Sequence, residues 1–157
     1  MKKVFYYETE IGKIGLAEEY GFITNLYFIN MKQPLNAKQI ETETLKEGFV
    51  QICEYLKGER KEFDLPLNPS GSDFQQTVWS ELLNIPYGET RTYKDIALAI
   101  GSENSTRAVG NANNKNPIPI IIPCHRVIGS DGTLTGYVGG LELKQKLLNL
   151  EKSLVLV

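Results

Sequence analysis

The chain has 157 residues, a formal net charge of −2, two cysteines and one histidine. This length suits one large domain or two small ones, and so few cysteine and histidine ligands argue against an ordinary zinc site. The N-terminus meets acidic residues before any signal-peptide core, no run is long enough to span a membrane, and the mild negative charge argues against coating nucleic acid by bulk charge. We therefore expect a soluble, cytoplasmic protein without metal or other cofactor.

Three short runs in the first third predict a meander of antiparallel strands. The segments 4–8, 13–19 and 22–28 are rich in β-branched and aromatic residues, and glycine-bearing turns at 11–12 and 20–21 separate them. An amphipathic helix follows and ends at a glycine, which is a good C-terminal stop. Its apolar stripe consists of Leu45, Phe49, Ile52, Cys53 and Leu56.

The position of Cys53 in that stripe predicts an inert core cysteine. Beyond the helix, KEFDLPL at 61–67 alternates apolar and polar residues and predicts another strand, and NPSGS at 68–72 is typical of a linker. We therefore predict an α+β protein with a small N-terminal α/β domain, 1–67, and a C-terminal domain, 68–157.

Helical periods dominate after the linker. Ser72 and Gln75 form the signature of a capping box, and a second helix is predicted from about Thr92 to Ile100. After a glycine-bearing turn, Ser105 is placed to cap a third helix, TRAVGNANN. Two helices joined by such a turn are typical of a helix-turn-helix, and residues 90–126 carry five basic against two acidic side chains. This local excess favours DNA binding.

The stretch NPIPIIIPCHRVIGSDG at 116–132 places the only histidine beside a cysteine. Its short apolar run predicts a buried strand, at whose end Cys124, His125 and Arg126 emerge together. Further on, Asp131 and Gly132 predict the turn of a hairpin like the wing of many helix-turn-helix domains. A closing helix from about Leu141 directs Glu151 back toward the domain.

A cysteine next to a histidine has two interpretations. The first is a nucleophile: a free thiol has a pKa of about 8.5, so Cys124 needs a base, and His125 is the sole imidazole. Because neighbours on a regular strand point to opposite faces, we favour a bridging water between them, with Glu151 fixing the ring from its far side. The second interpretation is a buried cysteine beside a hydrogen-bonded histidine without catalytic function.

Four motifs stand out in the last 90 residues: IPYGETRTYKDIA (85–97), RAVGNANNKNPIPIIIP (107–123), PCHRVIG (123–129) and GYVGGLELKQKLLNLE (136–151). Together they resemble one family, the methylated-DNA-protein-cysteine methyltransferases. The resemblance covers about 68–152, and the first third is similar only in its general pattern to the RNase H-like domain of that family. It implies an RNase H-like N-terminal domain followed by a winged helix-turn-helix.

The resemblance implies direct repair of double-stranded DNA by a monomer, in which an alkyl group moves from O6 of guanine to Cys124. It leaves O4 of alkylated thymine open as a second substrate. His125 would act through water and Glu151 would complete the relay. Asn116 would orient the site, Tyr93 would press on the phosphate of the flipped nucleotide, and Arg107 would fill the hole in the duplex. Further DNA contacts implied are Lys94, Ser102, Ala108, Asn113 and Ser130, and the base would be read by Val127, Val138 and Gly139. Position 138 is serine in some members.

Two rival functions remain open from the sequence. A cysteine hydrolase with a Cys124, His125 and Glu151 triad would turn over many times through an acyl intermediate. A winged-helix protein that only binds lesions would never become alkylated, although the presence of Cys124 counts against it. A family-type transferase would gain one alkyl group per chain, permanently, because a thioether is the product.

Overall fold

The computed structural model describes residues 1–155, and it divides between Ser70 and Gly71 into two compact units. None of the helices described is long and apolar enough to cross a membrane. The first unit contains a four-stranded sheet and one long helix, and the second contains four helices and a two-stranded sheet. The predicted α+β class is confirmed.

The first unit is built on the predicted meander. Strands β1 (Lys3–Thr9), β2 (Gly12–Glu19) and β3 (Phe22–Phe28) pair antiparallel in sequence order. A short strand β4 (Lys38–Gln39), which the sequence did not predict, adds to the outer edge of β1 in parallel. Helix α1 (Glu43–Leu56) begins at the Thr42 cap and packs its apolar stripe on the sheet.

Two predictions in this unit need correction. The segment 61–67 is not a strand, because only Leu67 pairs, in an isolated bridge to Ile23, and the amide of Asp64 is taken by the side chain of Gln51 instead of a ladder. Cys53 is half-buried rather than fully enclosed, and burial raises the pKa of its thiol.

The second unit begins with the predicted helices. Helix α2 (Asp73–Leu82) has the Ser72–Gln75 capping box, and α3 (Tyr93–Ala99) has a second box between Thr92 and Asp95. The turn after α3 depends on Gly101, whose φ of +76° suits glycine, and leads into α4 (Thr106–Asn114). Ser105 stands at the predicted cap position but its side chain makes no capping hydrogen bond. Helices α2, α3 and α4 pack on one another.

The isoleucine run is not the predicted strand. Residues 118–123 are buried in a tight, irregular turn with one bridge between Pro119 and Ile122, and Ile120 has a φ of +75°. Prolines at 117, 119 and 123 supply no amide hydrogens for a ladder, which explains the failure of that prediction.

The chain after this turn lacks the predicted hairpin. A two-residue strand β6 (Val127–Ile128) pairs in parallel with β5 (Arg91–Thr92). The turn at Asp131 and Gly132 forms, with the Gly129 amide bound to the Thr133 carbonyl, but no strand follows it. Helix α5 (Leu141–Val155) closes the unit and packs against the segment that holds Cys124.

Candidate active site

Cys124 starts a single turn of 3₁₀ helix, Cys124–Arg126, directly after the isoleucine turn. Its side chain is only 1% exposed. The buried Asn116 holds the turn in shape: its Nδ2 donates to the Ile122 carbonyl at 2.8 Å, and its Oδ1 accepts from the Ile118 amide at 3.0 Å. One asparagine therefore fixes both ends of the segment that presents the cysteine.

Asn113, at the end of α4, binds the backbone of Cys124 from the helix. It is 1% exposed, and its Nδ2 donates to the Cys124 carbonyl at 3.3 Å. Its Oδ1 is buried without a hydrogen-bond partner. A side chain buried in this way presents almost no surface to DNA, so its burial counts against the implied DNA contact of Asn113, which stays a prediction. Its position links the fourth helix to the backbone of Cys124 instead.

His125, Arg126 and Glu151 form a buried cluster. His125 Nε2 lies 2.7 Å from Glu151 Oε2, as the sequence predicted for a carboxylate on the far side of the ring. Arg126 forms a fork on the same carboxylate, with Nε 2.8 Å from Oε1 and the second terminal nitrogen 3.0 Å from Oε2. The amide of Gly88 donates to Oε1 at 3.2 Å. Each oxygen of the Glu151 carboxylate thus has two hydrogen-bond contacts.

The electrostatics of this cluster favour a neutral ring and an ionised carboxylate. Burial lowers the pKa of His125, and the charges of Arg126 and Lys144 act in the same direction, while the hydrogen bond and charge of Glu151 oppose them. Burial would raise the pKa of Glu151, but His125 and Arg126 outweigh it and hold the pKa at about 2. His125 is therefore an unprotonated base at neutral pH.

The thiol is also neutral at rest. Burial raises the pKa of Cys124 to about 11, against a hydrogen bond from Asn116 and the charge of Lys144. Lys144 is fully buried on α5 and donates to the carbonyls of Val127, at 2.6 Å, and Thr135, at 2.8 Å. Burial lowers the pKa of Lys144 to about 8, and the nearby thiol opposes that change. The site can therefore hold an ammonium close to the cysteine.

The residues that the resemblance assigned to the base belong to two segments, one directly after the Cys124–Arg126 turn and one before α5. Val127 follows the 3₁₀ turn and is buried, while Val138 and Gly139 are half-buried in the segment before α5. Tyr93, at the start of α3, donates from its hydroxyl to the Thr135 carbonyl at 3.3 Å and accepts from the Thr135 hydroxyl at 2.9 Å. The 133–139 segment is thus bound to the helix pair.

The other predicted DNA contacts are exposed or half-buried residues of the second unit. Arg107, in the first turn of α4, is exposed, as are Ala108 on the same helix and Lys94 on α3. Ser130 is exposed and Ser102 is half-buried. These side chains are available to a duplex, in contrast to Asn113.

Sequence reasoning placed Arg126 beside Cys124 and His125 but gave it no function, and it assigned no function to Lys144 or to the amide of Gly88; the structure places all three groups in the site. The function of a buried arginine beside His125 can be inferred only when the contact between that arginine and Glu151 is known. A backbone amide such as that of Gly88 leaves no signal in a sequence. Among residues 1–155 no group of three or more histidine, cysteine or acidic side chains could hold a metal ion.

Two family models match the two parts of the chain. Residues 3–69 match the ribonuclease-like domain of 6-O-methylguanine DNA methyltransferase. Residues 73–153 match the DNA binding domain of 6-O-methylguanine DNA methyltransferase. Together these matches cover nearly the whole chain.

Two relatives and one solved structure are similar to the chain over nearly its whole length. A methylated-DNA–protein-cysteine methyltransferase of Methanosarcina barkeri is 51% identical over 149 residues, which span 93% of this chain and 94% of the relative. The constitutive enzyme of that name from Bacillus subtilis is 48% identical, over 92% of each chain. The crystal structure of Mycobacterium tuberculosis OGT in complex with DNA is similar with a TM-score of 0.92 and 45% identity, covering 97% of this chain and 94% of that one.

Proposed function

The chain belongs to the methylated-DNA–protein-cysteine methyltransferase family, and on that premise we propose that it repairs DNA by moving an alkyl group from O6 of guanine to its own Cys124. The observation that carries this assignment is the position of the thiol. Cys124 starts a turn that Asn113 and Asn116 hold, next to an unprotonated His125 whose far nitrogen contacts Glu151. A cysteine with a fixed base fits nucleophilic attack on carbon.

The proton chemistry follows from the resting charges. In the neutral ring, a proton on Nε2 donates to Glu151, so the lone pair on Nδ1 is the basic site. A water carries the thiol proton to that nitrogen as the sulfur–carbon bond forms and the carbon–O6 bond breaks. The leaving guanine keeps the electron pair and takes up the proton that the His125 imidazolium then releases, so the ring returns to its neutral form. Atoms and charge balance, and Glu151 stays ionised throughout.

Recognition of the base requires that it leave the stack. A modified base inside a duplex is out of reach, and extrusion costs a few kcal/mol, least where the pairing is already damaged. Arg107 is exposed on α4 next to Ala108 and Gly110, whose small side chains allow close approach to the minor groove. Arg107 would occupy the space in the duplex that the flipped base leaves, and Tyr93 would contact the phosphate of the flipped nucleotide.

The base itself would be held next to Cys124 by the backbone of Cys124, Val127, Val138 and Gly139. Lys94, Ser102, Ala108 and Ser130 would contact the strand on either side. The protein would act as a monomer in the cytoplasm, where its two free thiols stay reduced. O4-alkylthymine is a second substrate to test.

Each chain should work once. The product is a thioether on Cys124, and an imidazole and a carboxylate do not hydrolyse a thioether. This separates the proposal from the hydrolase, which would regenerate its thiol. Cys53, the other cysteine, belongs to the first unit and is no part of this turn.

The deciding experiment is mass spectrometry of the intact protein after incubation with duplex DNA that contains one O6-methylguanine. We expect a gain of one methyl group per chain, located on the peptide with Cys124, in the wild type and in Cys53→Ala but not in Cys124→Ala. Repair of several lesions per chain would favour the hydrolase. Tight binding to the lesion without any mass gain would favour a lesion-binding protein.

A further inference from the structure

Arg126 lies in the cluster that acts on the cysteine, yet the transfer described above assigns it no part. We propose that Arg126 is a positioning residue that shares the Glu151 carboxylate with His125 and thereby sets the pH at which His125 can accept the proton of Cys124. This inference rests on the proposed function, because it concerns the base of that same reaction.

Arg126 contacts the Glu151 carboxylate at distances similar to that of His125. Its two contacts, at 2.8 and 3.0 Å, reach both oxygens of Glu151, and His125 Nε2 contacts Oε2 at 2.7 Å. A further terminal nitrogen of the guanidinium donates to the Ile85 carbonyl at 2.8 Å, and the guanidinium carbon lies 5.6 Å from the centre of the Tyr87 ring. These contacts together hold the guanidinium of Arg126 in one orientation against Glu151.

The fork is possible because the two neighbours lie on a single 3₁₀ turn. On a regular strand, His125 and Arg126 would point to opposite faces and could not reach one carboxylate. Here all three members of the cluster are buried, with 0% exposure for His125, 7% for Arg126 and 1% for Glu151. Interactions between charges at such short range in a buried site are weakly screened by solvent.

A shared carboxylate has a direct consequence for the ring. In a serine protease triad, the aspartate is free to stabilise the imidazolium that forms. At this site the negative charge of Glu151 is already matched by Arg126, so a proton on His125 would produce two cations beside one anion. The imidazolium is therefore less stable than it would be beside a carboxylate without a cationic partner. As a result, the His125 ring stays unprotonated down to a lower pH.

The other groups around His125 do not replace this effect. Cys124 precedes it in the turn and is a neutral thiol at rest, and the Tyr137 ring meets the imidazole edge-on at 6.4 Å. Lys144 from α5 adds a second positive charge, but its ammonium is bound to the carbonyls of Val127 and Thr135. Arg126, in contrast, contacts the carboxylate of Glu151 itself.

The test uses the fact that His125 is the only histidine in the chain. The protonation of its ring can be titrated by NMR in ¹⁵N-histidine-labelled, tag-free protein, without any reaction of the cysteine. The pH at which half of the rings are protonated is the histidine midpoint. In parallel, the rate of alkylation of Cys124 by free O6-benzylguanine is measured from pH 5 to pH 9, which avoids every step of DNA binding. The variants are Arg126→Gln, Arg126→Lys and Glu151→Gln.

We expect opposite shifts from the two partners. Arg126→Gln should raise the histidine midpoint and the acidic limb of the rate profile together, by about one pH unit, which is a tenfold change in proton affinity. Glu151→Gln should move both downward. Arg126→Lys keeps a positive charge and should leave the midpoint within a few tenths of a unit of the wild type, while the lost fork slows the reaction.

A purely structural role for Arg126 would lower the rate and leave both midpoints in place, and this result would overturn the inference. If Arg126→Gln does not fold because Glu151 is left unmatched, the double variant Arg126→Gln/Glu151→Gln replaces it; its midpoint should exceed that of Glu151→Gln, and an equal value would also overturn the inference. Arg60→Gln, which breaks a pair with Glu54 in the first unit, is the matched control and should change nothing. A shifted midpoint in a protein that never becomes alkylated would refute the proposed function alone.

Discussion

Ile120 offers a sharp test of how the turn before Cys124 is built. It is 1% exposed, so its side chain contributes to the core, but its φ of +75° is in the left-handed region that β-branched residues avoid. Ile118, two residues earlier, is 0% exposed and has no such backbone, which makes it a matched control. Both are replaced by alanine and by glycine.

The expected order of stability differs between the two sites. Loss of a buried isoleucine costs about 2–5 kcal/mol at either position, and this term cancels when alanine and glycine are compared. Glycine normally destabilises by about 0.4–1 kcal/mol relative to alanine through the unfolded chain. A left-handed residue with a Cβ carries a penalty of about 1–2 kcal/mol, which only glycine removes. Ile120→Gly should therefore be more stable than Ile120→Ala by about 0.5–1 kcal/mol, whereas Ile118→Gly should be less stable than Ile118→Ala.

The assay is equilibrium unfolding in urea followed by tryptophan fluorescence. Trp79 is the only tryptophan in the chain and is buried in the second unit, where its indole donates to the Ala112 carbonyl at 2.8 Å, so the signal reports the unit of interest. The difference between the two glycine-minus-alanine values should be about 1–2 kcal/mol. If glycine is the less stable substitution by the same margin at both sites, the turn carries no left-handed strain and the reasoning fails.

Three further substitutions test separate parts of the site. Arg107→Ala should slow repair of duplex DNA tenfold or more while leaving reaction with the free modified base within about twofold, and equal slowing of both would refute its role in the duplex. Asn113→Asp should raise the pH needed for alkylation of Cys124, since it places a negative charge beside that residue, whereas an unchanged pH profile would mean that the side chain does not influence the thiol. Lys144→Met should slow alkylation at neutral pH and recover much of the rate one or two pH units higher; a deficit that persists at high pH would instead point to a purely structural Lys144.

The regular elements were predictable because each has a periodic signal of its own. The meander was visible in runs of β-branched and aromatic residues separated by glycine-bearing turns, and α2 was visible in the Ser72 and Gln75 pair. Both are present with nearly the predicted bounds. The isoleucine run was misread because a short apolar stretch predicts burial, which is correct, but not the backbone path. The prolines on either side were the available signal against a strand.

The site was only partly predictable for a different reason. Cys124, His125 and Glu151 are chemically distinctive and their relation could be inferred from spacing and resemblance. Asn113 was assigned to DNA with the other contacts that the resemblance implied, but its side chain is directed inward and donates to the Cys124 carbonyl. The direction of one side chain on α4 depends on packing with α2 and α3, and that information is not local in the sequence.

The resting charges of the site suit a protein that reacts only once. With a thiol pKa of about 11, the ionised fraction of Cys124 near pH 7 is on the order of one in ten thousand, and the thiolate is the reactive form. A buried thiol and a neutral ring therefore protect the cysteine from stray electrophiles, to which its loss would be permanent. The same neutrality means that the proton must leave as the alkyl group arrives, so the basicity of His125, and with it the fork of Arg126, becomes part of the barrier to repair.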